Sequence, residues 1–123
     1  MVNKHKDWAF GVAQTLFDKK GLNILAIDIK KDSSMAHYVI LADGNVERHV
    51  VALAKEVEKK MKKMGERPSH IEGLQHGDWV VLDYFELIIH LFTPEMRQKY
   101  QLERLWPNGE MVDLSLEERE TMT

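Results

Sequence analysis

The chain contains no cysteine, which excludes disulfides, zinc ribbons, cysteine-ligated iron–sulfur clusters and thiol nucleophiles together and gives no sign of an oxidising compartment. Long hydrophobic runs are missing too. The N-terminus, Met1-Val2-Asn3-Lys4-His5-Lys6, lacks the apolar core of a signal peptide, and no later run approaches the roughly 20 residues of a membrane helix. The expected location is therefore cytoplasmic, or an organelle after loss of a transit peptide. Excess charge of one sign is scarce as well. Residues 1–109 hold fifteen acidic and sixteen basic side chains, whereas 110–123 hold five and one. Tight non-specific binding to nucleic acid draws on a net-basic surface that releases counterions, and this body has little excess charge to offer.

What is present suits one folded unit. At 123 residues, 44% hydrophobic and 30% charged, the chain is the size of one domain and has enough apolar surface to offset chain entropy. Composition divides it into a domain over 1–109 and an acidic C-terminal tail over 110–123.

Periodicity supplies the elements. Trp8, Ala9, Val12, Ala13 and Leu16 recur at helical spacing between about Lys4 and Lys20, with Asn3 as N-cap and Gly21 as a left-handed stop. Leu22 to Ile29 reads as a strand, ended by Lys30-Lys31-Asp32-Ser33-Ser34. Tyr38 to Ala42 is a continuous apolar run, the pattern of a central strand covered on both faces, closed by Asp43-Gly44-Asn45. Val50, Leu53, Val57, Met61 and Met64 then form one stripe along a helix of about five turns, stopped by Gly65 and Pro68. Ser69 to Glu72 suggests a short strand. Trp79 to Tyr84 and Leu87 to Phe92 predict an antiparallel hairpin across Phe85-Glu86. Thr93-Pro94-Glu95 is a helix start, with a hydroxyl cap and proline where the missing N–H costs nothing; the helix runs to about Tyr100, and Glu103 to Trp106 adds a turn before Pro107. The expected fold class is α/β, a mixed sheet of about five strands with helices packed on it.

Residues arranged for catalysis are few. His5, His37, His49, His70, His76 and His90 show no ligand spacing, so no metal site is expected. His90, inside an apolar strand, is the best candidate for a functional imidazole, against the alternative of a hydrogen-bonded structural one. Asp28 and Asp83 sit where α/β enzymes present carboxylates, yet there is no Asp-x-Asp pair and no glycine-rich phosphate loop. Gly44 with Arg48 at the start of the long helix offers an anion site or a plain turn. Lys59, Lys60, Lys62 and Lys63 offer a phosphate patch or, more simply, a solvated face at the negative end of the helix dipole. No enzyme and no cofactor are expected.

The aromatic residues carry more. Six of the ten fall within 28 positions: Trp79, Tyr84, Phe85, Phe92, Tyr100 and Trp106. Strand alternation puts Trp79, Val81 and Asp83 on one sheet face and Val80, Leu82 and Tyr84 on the other, so they cannot all enter one core face. Phe92 and one tryptophan suit the core. Partly exposed Trp and Tyr are favoured anchors of protein interfaces.

At these residues the chain resembles a known family. Asp78-Trp79-Val80-Val81-Leu82-Asp83-Tyr84, Ile89-His90-Leu91-Phe92-Thr93-Pro94-Glu95 and Tyr100-Gln101-Leu102-Glu103-Arg104-Leu105-Trp106 are similar to the ribosomal silencing factors, the Iojap-like family. Ser33-Ser34-Met35-Ala36-His37-Tyr38-Val39-Ile40 resembles the family's Ser-Ser-Ile-Ala-Asp-Tyr-Phe-Val, and Arg48-His49-Val50, Glu66-Arg67-Pro68 and Ile71-Glu72-Gly73 agree with it. The resemblance runs from about Leu22 to Trp106. His37 stands where the family has aspartate, Phe85-Glu86 replaces a Gly-Asp hairpin, and the serine-containing turn before the long helix has become Asp43-Gly44-Asn45-Val46-Glu47.

The resemblance implies a nucleotidyltransferase-like fold without catalytic carboxylates. It also implies a translational repressor that binds the large ribosomal subunit at its protein fourteen and hinders joining of the small subunit, with homodimers when free and only minor contacts to ribosomal RNA. Trp79, Asp83, Tyr84, His90, Tyr100, Trp106 and Arg48 are the expected partner-binding residues. The rival readings are a magnesium-dependent nucleotidyltransferase-like enzyme using Asp28, Asp83 and the Gly44 turn, and an RNA-binding module using Lys59 to Lys63.

Overall fold

The structure, a computed structural model, describes residues 3–116. Helix α1, Lys4–Asp18, begins where the Asn3 side chain accepts the Lys6 N–H at 3.0 Å, and it buries the stripe Trp8, Ala9, Val12, Ala13 and Leu16. Its stop differs from expectation. Lys20, not Gly21, takes the left-handed conformation, at φ 71°. Gly21 is required for space instead, because a Cβ there would lie 2.8 Å from the Leu16 carbonyl oxygen that its own N–H reaches.

Six strands form one mixed sheet, against about five expected: β1 Leu22–Asp28, β2 Tyr38–Asp43, β3 His70–Glu72, β4 Trp79–Asp83, β5 Leu87–Phe92 and β6 Glu110–Met111. They lie in the order β3-β4-β5-β2-β1-β6. Only β2 with β5 is parallel, because helix α2, Glu47–Lys63, carries the chain away between β2 and the later strands. All six residues of β2 are buried, as its unbroken apolar run predicts. The additional strand comes from the acidic segment: β6 pairs with β1, the Val112 N–H donates to the Ala26 carbonyl at 2.9 Å, and Val112 and Leu114 pack on the core. The remainder of the segment assigned to the acidic tail, 117–123, lies outside the described residues.

Helices α1 and α2 cover one sheet face. Val50, Leu53, Ala54, Val57 and Met61 of α2 pack there with Val80, Leu82, Leu87, Ile89 and Leu91, and each fully buried large side chain contributes about 1.5–3 kcal/mol. The opposite face is covered over only part of its width. There Ile27, Ile29, Val39, Leu41 and Phe92 lie beneath Met96, Leu102 and Trp106. These cover residues come from the short helix α3, Pro94–Lys99, a single 3-10 turn, Leu102–Leu105, and the residue that ends it, Trp106. Thr93 precedes α3 as expected, but its hydroxyl makes no cap bond; Pro94 at the first helical position has no N–H to leave unsatisfied.

Candidate functional site

The uncovered part of the second face lies over β3, β4 and β5. Alternation turns Val80 and Leu82 toward the helices and leaves Trp79, Val81 and Asp83 on the open side, each only partly buried. On β5, Ile88 and His90 face the same way. Register completes the surface, since Val81 pairs with His90, Asp83 with Ile88 and the exposed Glu72 of β3 with Val81. Two aliphatic side chains, a tryptophan and an imidazole thus sit side by side without a helix over them.

Trp79 is the centre of an aromatic cluster. Its ring lies 5.3 Å from Phe92, 5.1 Å from Tyr100 and 6.0 Å from His90, and His90 stacks on Phe92 at 6.0 Å. Phe92 is fully buried, so it serves as the floor. Tyr100 is 39% exposed and forms the rim, with the Lys99 ammonium 5.4 Å from its ring. Trp106 is half-buried and packs down on the second core cluster, which makes it a support with one free edge.

His90 is held neutral by this arrangement. The Trp79 indole N–H donates to His90 Nδ1 at 3.1 Å, so that nitrogen must keep its lone pair and the proton sits on Nε2. Burial pushes the His90 pKa down from 6.5 to about 4, opposed in part by the Asp83 carboxylate. At neutral pH the open face therefore presents an uncharged imidazole rather than a cation.

Three expected contact residues are placed differently. Tyr84 is a correction: it is 3% exposed and packed under α2, because alternation along β4 turns it inward. Its pKa is pushed up to about 12 by burial and by Glu58. Asp83 lies on the open face, but its carboxylate is engaged in the hairpin, where Oδ1 accepts the Phe85 N–H at 2.8 Å. Arg48 is exposed on the first turn of α2, on the other side of the sheet, and is not brought together with Trp79. Five of the seven expected residues, Trp79, Asp83, His90, Tyr100 and Trp106, do share one side of the sheet, Asp83 with its carboxylate already tied into the hairpin.

The elements invoked for an enzyme do not converge. Asp83 and Asp28 are three strand spacings apart, about 14 Å, and face opposite sides of the sheet. The Gly44 turn lies at the far end of β2, and a Cβ at Gly44 would come within 2.8 Å of the Val50 amide nitrogen, so the glycine serves close packing of α2. Among the described residues no three His, Asp or Glu side chains are grouped to hold a metal ion. Lys59, Lys62 and Lys63 are exposed at the end of α2, with Lys59 3.6 Å from Glu56.

The sequence profile of the family described as "Ribosomal silencing factor during starvation" matches residues 3–123. The chain belongs to the ribosomal silencing factor family. Among its curated relatives, the ribosomal silencing factor of Zymomonas mobilis is 41% identical over 102 residues, spanning 83% of this chain and 77% of that protein. A mouse protein named "Mitochondrial assembly of ribosomal large subunit protein 1" is 31% identical over 87 residues, 68% of this chain and 38% of that protein. The crystal structure of a Chromobacterium violaceum protein superposes with a TM-score of 0.82 at 30% identity, covering 94% of this chain and 95% of that one.

Two departures noted in the sequence now have structures. At the hairpin tip, where silencing factors carry glycine, Phe85 adopts the left-handed conformation itself at φ 66°, at a cost of about 1–2 kcal/mol. The Asp83 carboxylate and the Tyr84 carbonyl, which accept the Phe85 and Glu86 N–H groups, hold the turn in place. His37, in the aspartate position, meets His5 of α1 with Nδ1 atoms 3.0 Å apart, while its backbone N–H donates to the Glu86 carbonyl at 2.8 Å. Sequence reasoning missed Val81 and Ile88 as part of the open surface and Asp43 and Arg97 as an ion pair. Alternation flags the first two; nothing local flags the last, whose members are 54 positions apart.

Proposed function

We propose that this silencing factor docks through the open half of its sheet on the large ribosomal subunit, at ribosomal protein fourteen, and blocks joining of the small subunit by its bulk, repressing translation in the cytoplasm. The observation that carries the reading is the uncovered surface formed by Trp79, Val81, Ile88, His90 and Tyr100. Apolar and aromatic groups on a rigid sheet are suited to dominate a protein interface, because they lose little conformational entropy on contact. In support, the family description speaks of ribosomal silencing, and the mouse relative is named for assembly of the large ribosomal subunit. Blockade needs no bond to be made or broken, and the scattered carboxylates fit that. The free protein would pair with a second copy through the same surface, which docking on the ribosome would replace.

The test is cosedimentation with purified large subunits, with small subunits added before or after the protein. Retention on large subunits, and loss of joining only when the protein is added first, is the expected result. A protein that leaves large subunits unbound, or binds them while joining proceeds at its normal extent, refutes the reading.

A further inference from the structure

Helix α3 and the 3-10 turn flank Tyr100 and precede Trp106, yet neither contains a buried residue. Partial packing of Met96 and Leu102 is their apolar attachment. A segment so held would rock on the sheet, and something else must fix it. Beside the packing of Trp106 on the second core cluster, one guanidinium ties the segment to the strands. Arg97 Nη1 donates to Asp43 Oδ1 at 2.8 Å and to the Asn23 carbonyl at 3.2 Å, its Nε lies 3.6 Å from Glu103 Oε1, and its plane sits 6.0 Å from the Phe92 ring. Asp43 is 2% exposed, and its other oxygen accepts from the Asn23 amide at 2.9 Å. Arg97 thereby joins the end of β2, the irregular start of β1, α3 and the 3-10 turn.

We infer that the Asp43–Arg97 pair is a positioning device that holds the 94–106 segment in the one placement that sets Tyr100 against Trp79. This rests on the docking role proposed above for that surface. Neither member offers the partner much surface, since the Arg97 side chain is 12% exposed and that of Asp43 2%. Their effect on binding is therefore indirect. Tyr100 lies between Arg97 and Glu103 in the chain, so anchoring both flanks leaves its ring little freedom. The guanidinium reaches Asp43 and Asn23 through Nη1 while its Nε side faces Glu103, a spread across one rigid plane that the compact ammonium of a lysine does not match.

The experiment pairs Arg97→Gln with Asp43→Asn in one chain, which removes both charges together and leaves neither buried alone; Arg97→Lys is the second variant, keeping the charge and losing the fork. Amide hydrogen exchange should accelerate at least tenfold at position 97 and at Tyr100, whose backbone N–H groups donate to the Thr93 and Met96 carbonyls, with α2 unchanged. Arg97→Lys should show the same acceleration in smaller measure. On large subunits, Tyr100→Ala should weaken binding about tenfold in the natural background and less than twofold in the double variant, where Tyr100 is already displaced. Unchanged exchange in 94–106, or an equal Tyr100→Ala factor in both backgrounds, overturns the inference. Large subunits that ignore the unmodified protein would sink the docking role alone, because the exchange measurement still decides whether the pair positions the segment.

Discussion

Lowering the pH should destabilise this protein through one imidazole. His90 is neutral in the fold, its pKa pushed down from 6.5 to about 4 by burial, and its Nδ1 receives the Trp79 N–H. The unfolded chain takes up a proton near pH 6.5 that the folded chain refuses until about pH 4, so stability is full above the upper value and falls as pH drops through that window. Each pH unit of difference is worth 1.36 kcal/mol, which sets a ceiling of about 3 kcal/mol. The ring is partly exposed, and solvent access brings the expected loss to about 2 kcal/mol. The control is His90→Gln, whose amide oxygen can accept the Trp79 N–H without titrating. Urea unfolding of both proteins at pH 7, 6, 5 and 4, followed by tryptophan fluorescence, separates this proton from the protonation of carboxylates that both share. The natural protein should lose about 2 kcal/mol more than the variant between pH 7 and 4. Parallel profiles, within about 0.5 kcal/mol over the whole range, would refute the reasoning and mean that His90 is no harder to protonate folded than unfolded.

Tyr84→Phe should raise stability by about 1 kcal/mol, seen as a melting point about 3–6 °C higher, because the hydroxyl is buried with no hydrogen-bond partner among the described residues; a lower melting point would reveal a partner. Gly73→Ala should cost about 3 kcal/mol or more in urea unfolding, since φ is +91° and a Cβ would lie 2.0 Å from the Trp79 carbonyl oxygen. Val81→Gln should leave the melting point within about 2 °C and weaken retention by large subunits about tenfold, as it puts a polar amide on the open face without setting a second carboxylate against Glu72 and leaves the core alone. Retention at full strength would place the contact elsewhere. Trp79→Ala is a poorer probe, because Trp79 also packs on Phe92 and would lower stability together with binding.

Elements set by local chemistry were legible in the residues. The α1 stripe, the buried run of β2, the five-turn α2 and the hairpin follow from periodicity, caps and turn residues, which act over a few positions. Where two residues competed for one role the reading slipped. Lys20 bends left-handed while Gly21 makes room for Leu16, and Phe85 keeps a glycine's conformation because Asp83 holds the turn. β6 escaped notice because two residues amid acidic neighbours carry no pattern; their pairing depends on the free edge of β1.

The aromatic surface divides along the same line. Alternation alone determined that Trp79, Val81 and Asp83 oppose Val80, Leu82 and Tyr84, since the pleat has a period of two. Which of those faces is packed under helices and which stays open was decided by where α1, α2 and the 94–106 segment come to rest, and that depends on contacts between distant residues. Tyr84 went into the core and Trp79 to the surface for this reason. The Asp43–Arg97 ion pair and the Trp79–His90 hydrogen bond exist only once the strands are in register, because no local spacing brings a carboxylate of β2 to a guanidinium on α3 or an indole of β4 to an imidazole of β5.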